Sequence, residues 1–495
     1  MSAKMDIPGY YYDPEKKRYF KVENSKTAPA ASTWSTDKVK RRKLEDEEAA
    51  AALQRMKLNK DRIRRSQVLQ EPLVGGFLAR EFGSVEVDVR PSAFARELLE
   101  KGSMPLADSR WCSTGNVKHL CVTSEDTHSG LGVAFATLDE LSLISAYIPR
   151  DNNGRVHRQL LANYSVPHSP QFAPYQELVV NQISDVKYHK PSGKVFVLSR
   201  QPDAAISFWD FNPVETDGPD GRLPSPRWLL GWSGTGHGVF MNHRLSGPSG
   251  TNNYQSNTVH PSPESATSLC IIGSNRGILH WPKERSITWL APTVSQGRFN
   301  SSPKAFGDIF ALDFKQGDSN ILFSGGRPGK LFIGDTRSSF QEWQCLNHGY
   351  AISHIRSLDH HNVLVAGLNN TMVTYDTRMM KDDPPSSLYK PQTVRPVLRF
   401  HEYKNSAHIN TGLDFNKESG LVAAAHDDGK VALYSVKTGH RLSSPDIAQI
   451  QSNRGPIQAI QFQTMPNDVN PTLFVGVHSN LNAYSFGVWG LKDDA

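Results

Sequence analysis

Cysteine is scarce in this chain of 495 residues: there are four, Cys112, Cys121, Cys270 and Cys345. They lie far apart, and no two have zinc-finger or thioredoxin-type spacing. That excludes a disulfide framework and predicts reduced, mostly buried thiols in an intracellular protein. Long apolar runs are also lacking. No window approaches the roughly 18 apolar residues of a membrane span, and the first twenty residues contain no hydrophobic signal region. The sequence is therefore expected to be neither secreted nor membrane-spanning.

Catalytic signatures are missing as well. The chain has no Gly-x-Ser-x-Gly elbow and no His-Glu-x-x-His pair. Gly326-Arg327-Pro328-Gly329-Lys330 lacks both the spacing and the hydroxyl of a phosphate-binding loop, and reads as a hairpin turn. His360-His361 has no third ligand at metal-binding spacing. The expectation is a protein that is not an enzyme, with no catalytic, cofactor-binding or metal-ligating residues, no cofactor and no small-molecule substrate. An excess of one charge is confined to one end. Residues 1–71 hold 17 Lys and Arg against 11 Asp and Glu, whereas the rest of the chain has 38 of each. The net charge of +6 thus belongs to an N-terminal arm, and nucleic acid is not an expected partner of the neutral body.

The arm has its own pattern. Residues 1–36 hold an aromatic docking segment and a spacer. Tyr10, Tyr11 and Tyr12 on one side, and Tyr19 and Phe20 on the other, flank Asp13-Pro14 and a charged run. This layout predicts a small hairpin or an extended docking segment. Residues 37–71 have helical spacing. Thr36 or Asp37 can cap a helix in which Ala49, Leu53 and Met56 share a face, with Leu44 and Leu58 near its ends. Asn59 can cap a second, shorter helix bearing Ile63 and Val68, which stops before Pro72. Such a helix–loop–helix, with too few apolar residues for its own core, either packs on a partner or is a solvated charged helix. The basic run Lys38 to Lys43 fits nuclear import or a solvent-facing helix start. Nuclear residence is expected, with the cytoplasm also open to the protein.

From residue 83 to 490 the chain shows short β-type runs and turns. One phrase recurs: two or three apolar residues, a small-residue step, a polar turn, an alternating strand, then an aromatic. It occurs at 195–210, 270–281, 322–334, 363–375, 421–434 and 473–484. Each copy is expected to follow a shorter strand, and a further unit spans His119–Thr123 and Leu131–Ala136. Seven antiparallel four-stranded units predict an all-β, seven-bladed propeller, whose ring closure protects its strand edges. Residues 85–89 are expected to supply the closing strand. Polar stretches near 212–226, 244–266 and 379–392 read as loop insertions on the propeller faces. Trp209-Asp210 is the one literal Trp-Asp pair among these repeat ends, so the pattern is a degenerate WD repeat.

Two repeats end in Asp-Thr-Arg, at Asp335–Arg337 and Asp376–Arg378, 41 positions apart. If the backbone is extended there, Asp and Arg project to the same side. Equivalent places on adjacent blades would put both arginines on one rim, where guanidinium forks suit a protein partner's carboxylates or carbonyls. Alternatively, each Arg pairs with its own Asp and stabilises a turn.

Taken together, the segment Pro8–Phe20, the helical run ending in Arg65-Ser66-Gln67 and the degenerate propeller resemble one family. It is the WD-repeat cullin-4-associated factor four family, also called WD-repeat protein twenty-one. Its wider group consists of substrate receptors of cullin-4 RING ubiquitin ligases, which dock on the damaged-DNA-binding adaptor. The resemblance implies a non-catalytic receptor that binds the adaptor and cullin-4 and presents an unidentified protein for ubiquitination. It implies that residues 37–71 enter the adaptor through Leu44, Leu53, Met56, Ile63 and Val68. Asp335, Arg337, Asp376 and Arg378 would line the adaptor-facing rim, and Tyr10, Tyr12, Tyr19 and Phe20 would form a docking segment. Gly334 stands where the first box should carry an aromatic. The alternative is a general nuclear WD-repeat scaffold whose basic arm contacts nucleic acid or another protein complex.

Overall fold

The computed structural model describes residues 10–13, 18–21, 44–45, 47–48, 50–51, 88–106, 115–124, 132–151, 154–163, 175–180, 182–200, 204–210, 241–245, 254–283, 286–292, 307–327, 329–380, 394–465 and 468–487. The chain divides into two compact units, Met1–Gly75 and Gly76–Ala495.

In the first unit, β1 (Tyr10–Asp13) pairs antiparallel with β2 (Arg18–Lys21), with Tyr11 opposite Phe20 and Tyr12 opposite Tyr19. The two aromatic clusters therefore pair as the strands of a hairpin. Tyr10, Tyr19 and Phe20 are exposed. Residues 44, 45, 47, 48, 50 and 51 are helical, and Leu44 is exposed. Leu53, Met56, Ile63 and Val68 lie outside the described residues.

Among the described residues of the second unit, the first element is a helix, α1 (Val89–Arg96), followed by β3 (Leu98–Pro105). Seven four-stranded sheets then follow as the blades of a propeller. Blade 1 is β4 (His119–Thr123), β5 (Gly132–Thr137), β6 (Ser142–Ile148) and β7 (Tyr175–Val179). Blade 2 is β8 (Ile183–His189), β9 (Lys194–Ser199), β10 (Ala205–Asp210) and β11 (Met241–Arg244). Blade 3 is β12 (Ser256–Pro261), β13 (Ser268–Ser274), β14 (Gly277–Pro282) and β15 (Thr288–Pro292). Blade 4 is β16 (Ile309–Phe314), β17 (Ile321–Gly326), β18 (Lys330–Asp335) and β19 (Gln344–Asn347). Blade 5 is β20 (Ile352–Ser357), β21 (Asn362–Gly367), β22 (Met372–Asp376) and β23 (Leu398–Arg399). Blade 6 is β24 (Leu413–Asn416), β25 (Leu421–Ala425), β26 (Val431–Ser435) and β27 (Arg441–Leu442). Blade 7 is β28 (Ile460–Gln463), β29 (Thr472–Val477) and β30 (Asn480–Phe486), completed by β3.

The middle strands are apolar on both sides because each blade is sandwiched between two others. Every residue of β5 and β6 is buried. The apolar core is accordingly divided into seven clusters, each spanning one blade junction. Phe474, Leu481, Ala483 and Met104 of blade 7 meet Ala134 and Ile144 of blade 1, and Phe323 and Leu331 meet Ile355 and Val365 between blades 4 and 5. The first strands β4, β8, β12, β16, β20, β24 and β28 touch in a closed ring.

Closure differs from the expectation in position. Residues 85–87 lie outside the described residues, Val89 starts α1, and the closing strand is β3, which pairs antiparallel with β30 from Leu98↔Phe486 to Pro105↔Asn480. It was hard to read because an outermost strand has one exposed edge: Leu98 and Met104 are buried in β3, while Glu100 faces solvent. Asp88 accepts hydrogen bonds from the Ser435 and Thr438 hydroxyls and so ties the start of α1 to blade 6. The stretch 244–266, expected as a loop insertion, contains β12, the innermost strand of blade 3. Its polar look comes from the channel-lining side chains Asn257, Thr258 and His260. Residues 212–226, and 381–392 of the third expected insertion, lie outside the described residues. Cys121, Cys270 and Cys345 are buried free thiols.

Candidate functional site

The two Asp-Thr-Arg boxes follow the third strands of neighbouring blades and leave the propeller on the same face. In both, the strand ends at the aspartate. Asp335 Oδ1 accepts from the Arg337 backbone N–H at 2.8 Å, and Asp376 Oδ1 from the Arg378 N–H at 2.9 Å. The aspartate therefore closes an Asx turn. Asp and Arg come together through this turn, not through the extended backbone expected. The next residue repeats the match: Thr336 N–H donates to Asn320 O and Thr377 N–H to His361 O, both at 2.8 Å.

Each arginine forks onto its own aspartate. Arg337 Nε and Nη2 reach Asp335 at 3.0 and 2.6 Å, and Arg378 Nε and Nη2 reach Asp376 at 3.0 and 2.7 Å. The arginine hydrogen bonds hold both carboxyls below the usual carboxylate range. The arginine side chains nonetheless remain 63% and 64% exposed. The pairing thus stabilises the turn and also fixes the direction in which an exposed guanidinium is held.

Gly334, the apparent defect in the first box, has a packing reason. A Cβ there would stand 2.0 Å from Cδ2 of Trp343. The Trp343 indole, 2% exposed, fills the space and donates from Nε1 to Asp335 O at 3.1 Å. The aromatic comes from the segment after the box instead of from its third strand. In the second box Tyr375 is buried, and its hydroxyl meets His348 Nδ1 at 3.0 Å.

Sequence reasoning passed over the residues of the central channel, a cavity of about 910 Å³. Polar side chains on the first strands clasp the next blade there. Asp185 Oδ2 accepts from Val259 N–H at 3.0 Å and Asp313 Oδ2 from Ser357 N–H at 2.6 Å. Asp414 Oδ2 accepts from Phe462 N–H at 2.7 Å, and Gln461 brackets Val122 through both its N–H and its carbonyl. His260 and Arg356 reach Asp313 and Asp414 at 3.2 and 3.5 Å. The repeated phrases Leu312-Asp313-Phe314 and Leu413-Asp414-Phe415, each with a carboxylate inside an apolar run, were the available signal. Burial and nearby Arg356 push His354 down to about 3, so it lines the channel as neutral imidazole at neutral pH. Among the described residues no group of three or more His, Cys, Asp or Glu could hold a metal.

No protein-family model matches the sequence. WD repeat-containing protein 21 of Schizosaccharomyces pombe is 21% identical over 438 residues, covering 85% of this chain and 86% of that protein. The chain is a WD-repeat propeller that resembles the WD-repeat protein 21 family. The human DDB1- and CUL4-associated factor 4-like protein 2 is 26% identical over 202 residues, covering 39% of this chain and 46% of that protein. The propeller fold and the two relatives agree with the resemblance carried by the aromatic segment, the helical run and the degenerate repeats.

Proposed function

We propose that the protein is a non-catalytic substrate receptor of a cullin-4 RING ubiquitin ligase. One face docks on the DDB1 adaptor, and the remaining surface presents a target protein for ubiquitin transfer. The observation that carries this reading is the matched pair of Asp-Arg forks on adjacent blades, two exposed guanidiniums held in the same geometry on one face. Arginines fixed by their own aspartates lose little rotamer entropy on meeting a partner, which favours a binding role for such forks. The relative named as a DDB1- and CUL4-associated factor supports the kind of partner. The exposed aromatic hairpin and the helical arm would add contacts, and the basic run 38–43 would carry the protein into the nucleus. Catalysis of ubiquitin transfer would belong to the ligase, with the receptor raising the target's effective concentration.

The test is capture of purified adaptor by the full chain and by Arg337→Ala/Arg378→Ala. Both arginines lie on the surface, so the variant should melt like wild type while its capture is weakened. Capture of adaptor by neither protein, together with steeply salt-dependent RNA or DNA binding, would shift the reading to a nuclear scaffold.

A further inference from the structure

The face opposite the boxes carries a basic arc. In every blade the hairpin between the second and third strands lies at the far end of the third strand from the box position. In three consecutive blades that hairpin holds an arginine: Arg200 after β9, Arg276 between β13 and β14, and Arg327 after β17. The equivalent hairpins of the other four blades carry no arginine. They hold Asp139-Glu140 in blade 1, Asn369-Asn370 in blade 5, Asp427-Asp428 in blade 6 and His478-Ser479 in blade 7.

These arginines differ from the forked pair on the other face. Among the described residues Arg200 and Arg276 have no carboxylate partner, and Nε of each is buried without a hydrogen bond. Asn257 Nδ2, on β12, is a third buried donor lacking an acceptor. Arg200 and Asn257 both line the mouth of the channel. Arg327, 60% exposed, lies 3.5 Å from Asp308 and 5.9 Å from the Phe310 ring. Nearby carboxylates are already engaged: Asp185 by Thr258 and Val259, and Glu140 by Lys118. Arg200 and Arg276 are only partly buried as whole residues, so it is their guanidinium ends, not the enclosed Nε atoms, that an acceptor-bearing ligand would meet.

We infer that this arc, with the channel mouth it borders, receives a short acidic segment of the target protein through its carboxylates. The word target rests on the receptor reading above; the chemistry does not. Guanidinium forks bind carboxylates in bidentate fashion, and three on successive blades suit a segment laid along the rim. The positive charge ends at the Asp139-Glu140 hairpin of blade 1 on one side and the uncharged Asn369-Asn370 hairpin of blade 5 on the other, so the arc's length suits a few carboxylates better than a long polyanion.

The experiment measures fluorescence anisotropy of a dye-labelled decaglutamate peptide against the full chain. The same samples are assayed for adaptor capture. Wild type should bind the peptide, and added salt should weaken binding. Arg200→Gln/Arg276→Gln/Arg327→Gln should weaken it roughly tenfold or more, the scale of lost charge-assisted hydrogen bonds, while Arg337→Ala/Arg378→Ala leaves it unchanged. If the triple variant melts early, Arg327→Glu alone, at an exposed position, supplies the readout. Undiminished peptide binding by these variants overturns the inference, as does equal binding of decalysine. Stronger, variant-sensitive binding of a phosphoserine peptide or of a short single-stranded RNA overturns it in favour of a phosphate ligand. Adaptor capture without peptide binding sinks this inference alone, and peptide binding without adaptor capture sinks the receptor reading alone.

Discussion

At the scale of single residues, two positions tie packing to measurable stability. Gly334 leaves no room for a methyl group: its Cβ would overlap the indole of Trp343, whose Cδ2, Cγ and Cε2 would all lie within 2.2 Å. Gly334→Ala must therefore displace a buried ring and its bond to Asp335 O. The variant is expected to lose about 1–3 kcal/mol, the usual cost of overpacking, as a lower urea midpoint. An unchanged midpoint would mean that Trp343 is not held as described. His426 is the second case. It is buried, bonded through Nε2 to the Tyr434 hydroxyl at 2.7 Å, and burial pushes it down to about 4. In the unfolded chain an imidazole takes its proton near pH 6.5, so below that pH the unfolded state binds more protons than the folded one. Stability is then fully present above about pH 6.5 and falls as pH drops toward 4, by up to about 1.4 kcal/mol per pH unit for each such histidine. His348, also held near 4 by burial and by Arg399, acts in the same direction. Urea midpoints at pH 7.5, 6 and 5 should decline, and His426→Gln should flatten the decline. A profile as steep in the variant as in wild type would assign the effect elsewhere.

At the scale of elements, β3 is the strand on which closure depends. It supplies the outer edge of blade 7, with Leu98 in the cluster between blades 6 and 7 and Met104 in that between 7 and 1. Deleting residues 98–105 leaves the edge of β30 unpaired and opens both clusters. The shortened chain should melt well below wild type and elute as oligomers, because a free edge recruits other strands. A monomer with an unchanged melting temperature would contradict the closure. The same element shows where sequence reading stops. Second and third strands such as β21 and β22 are legible because blades cover both their faces and each carries a continuous apolar run, Val363–Ala366 and Met372-Val373. Outer strands are not: β23 and β27 are two residues each, and β3 mixes charge with a glycine. β12 reads as loop in the sequence because its own side chains Asn257, Thr258 and His260 line the channel. The boxes were found by their repeat, whereas the inner-strand clasps, single carboxylates in apolar runs, need the neighbouring blade to acquire meaning. Of the five arm residues that the resemblance implies enter the adaptor, Leu44 alone is among the described residues.

At the scale of the whole molecule, the core is a ring of seven interfaces with no single centre, each cluster being shared by two blades. A ring of this kind gives a rigid rim, and rigidity matters if the arm and the rim grip one partner. Two weak attachments on one chain act at a high effective concentration, so their combined affinity exceeds either alone by roughly 10²–10⁴-fold without any new contact. The proposed function therefore makes a quantitative demand on surface plasmon resonance with purified adaptor. Removing residues 1–71, or changing Arg337 and Arg378 to alanine, should each weaken binding by at least about a hundredfold, chiefly through faster dissociation. The two changes together should leave binding at the floor of the assay. If removal of the arm changes nothing in either background, the rim alone holds the adaptor and the arm serves another partner. If the arm alone accounts for all the affinity, the Asp-Arg forks are turn-stabilising pairs and the docking face must be sought elsewhere on the ring.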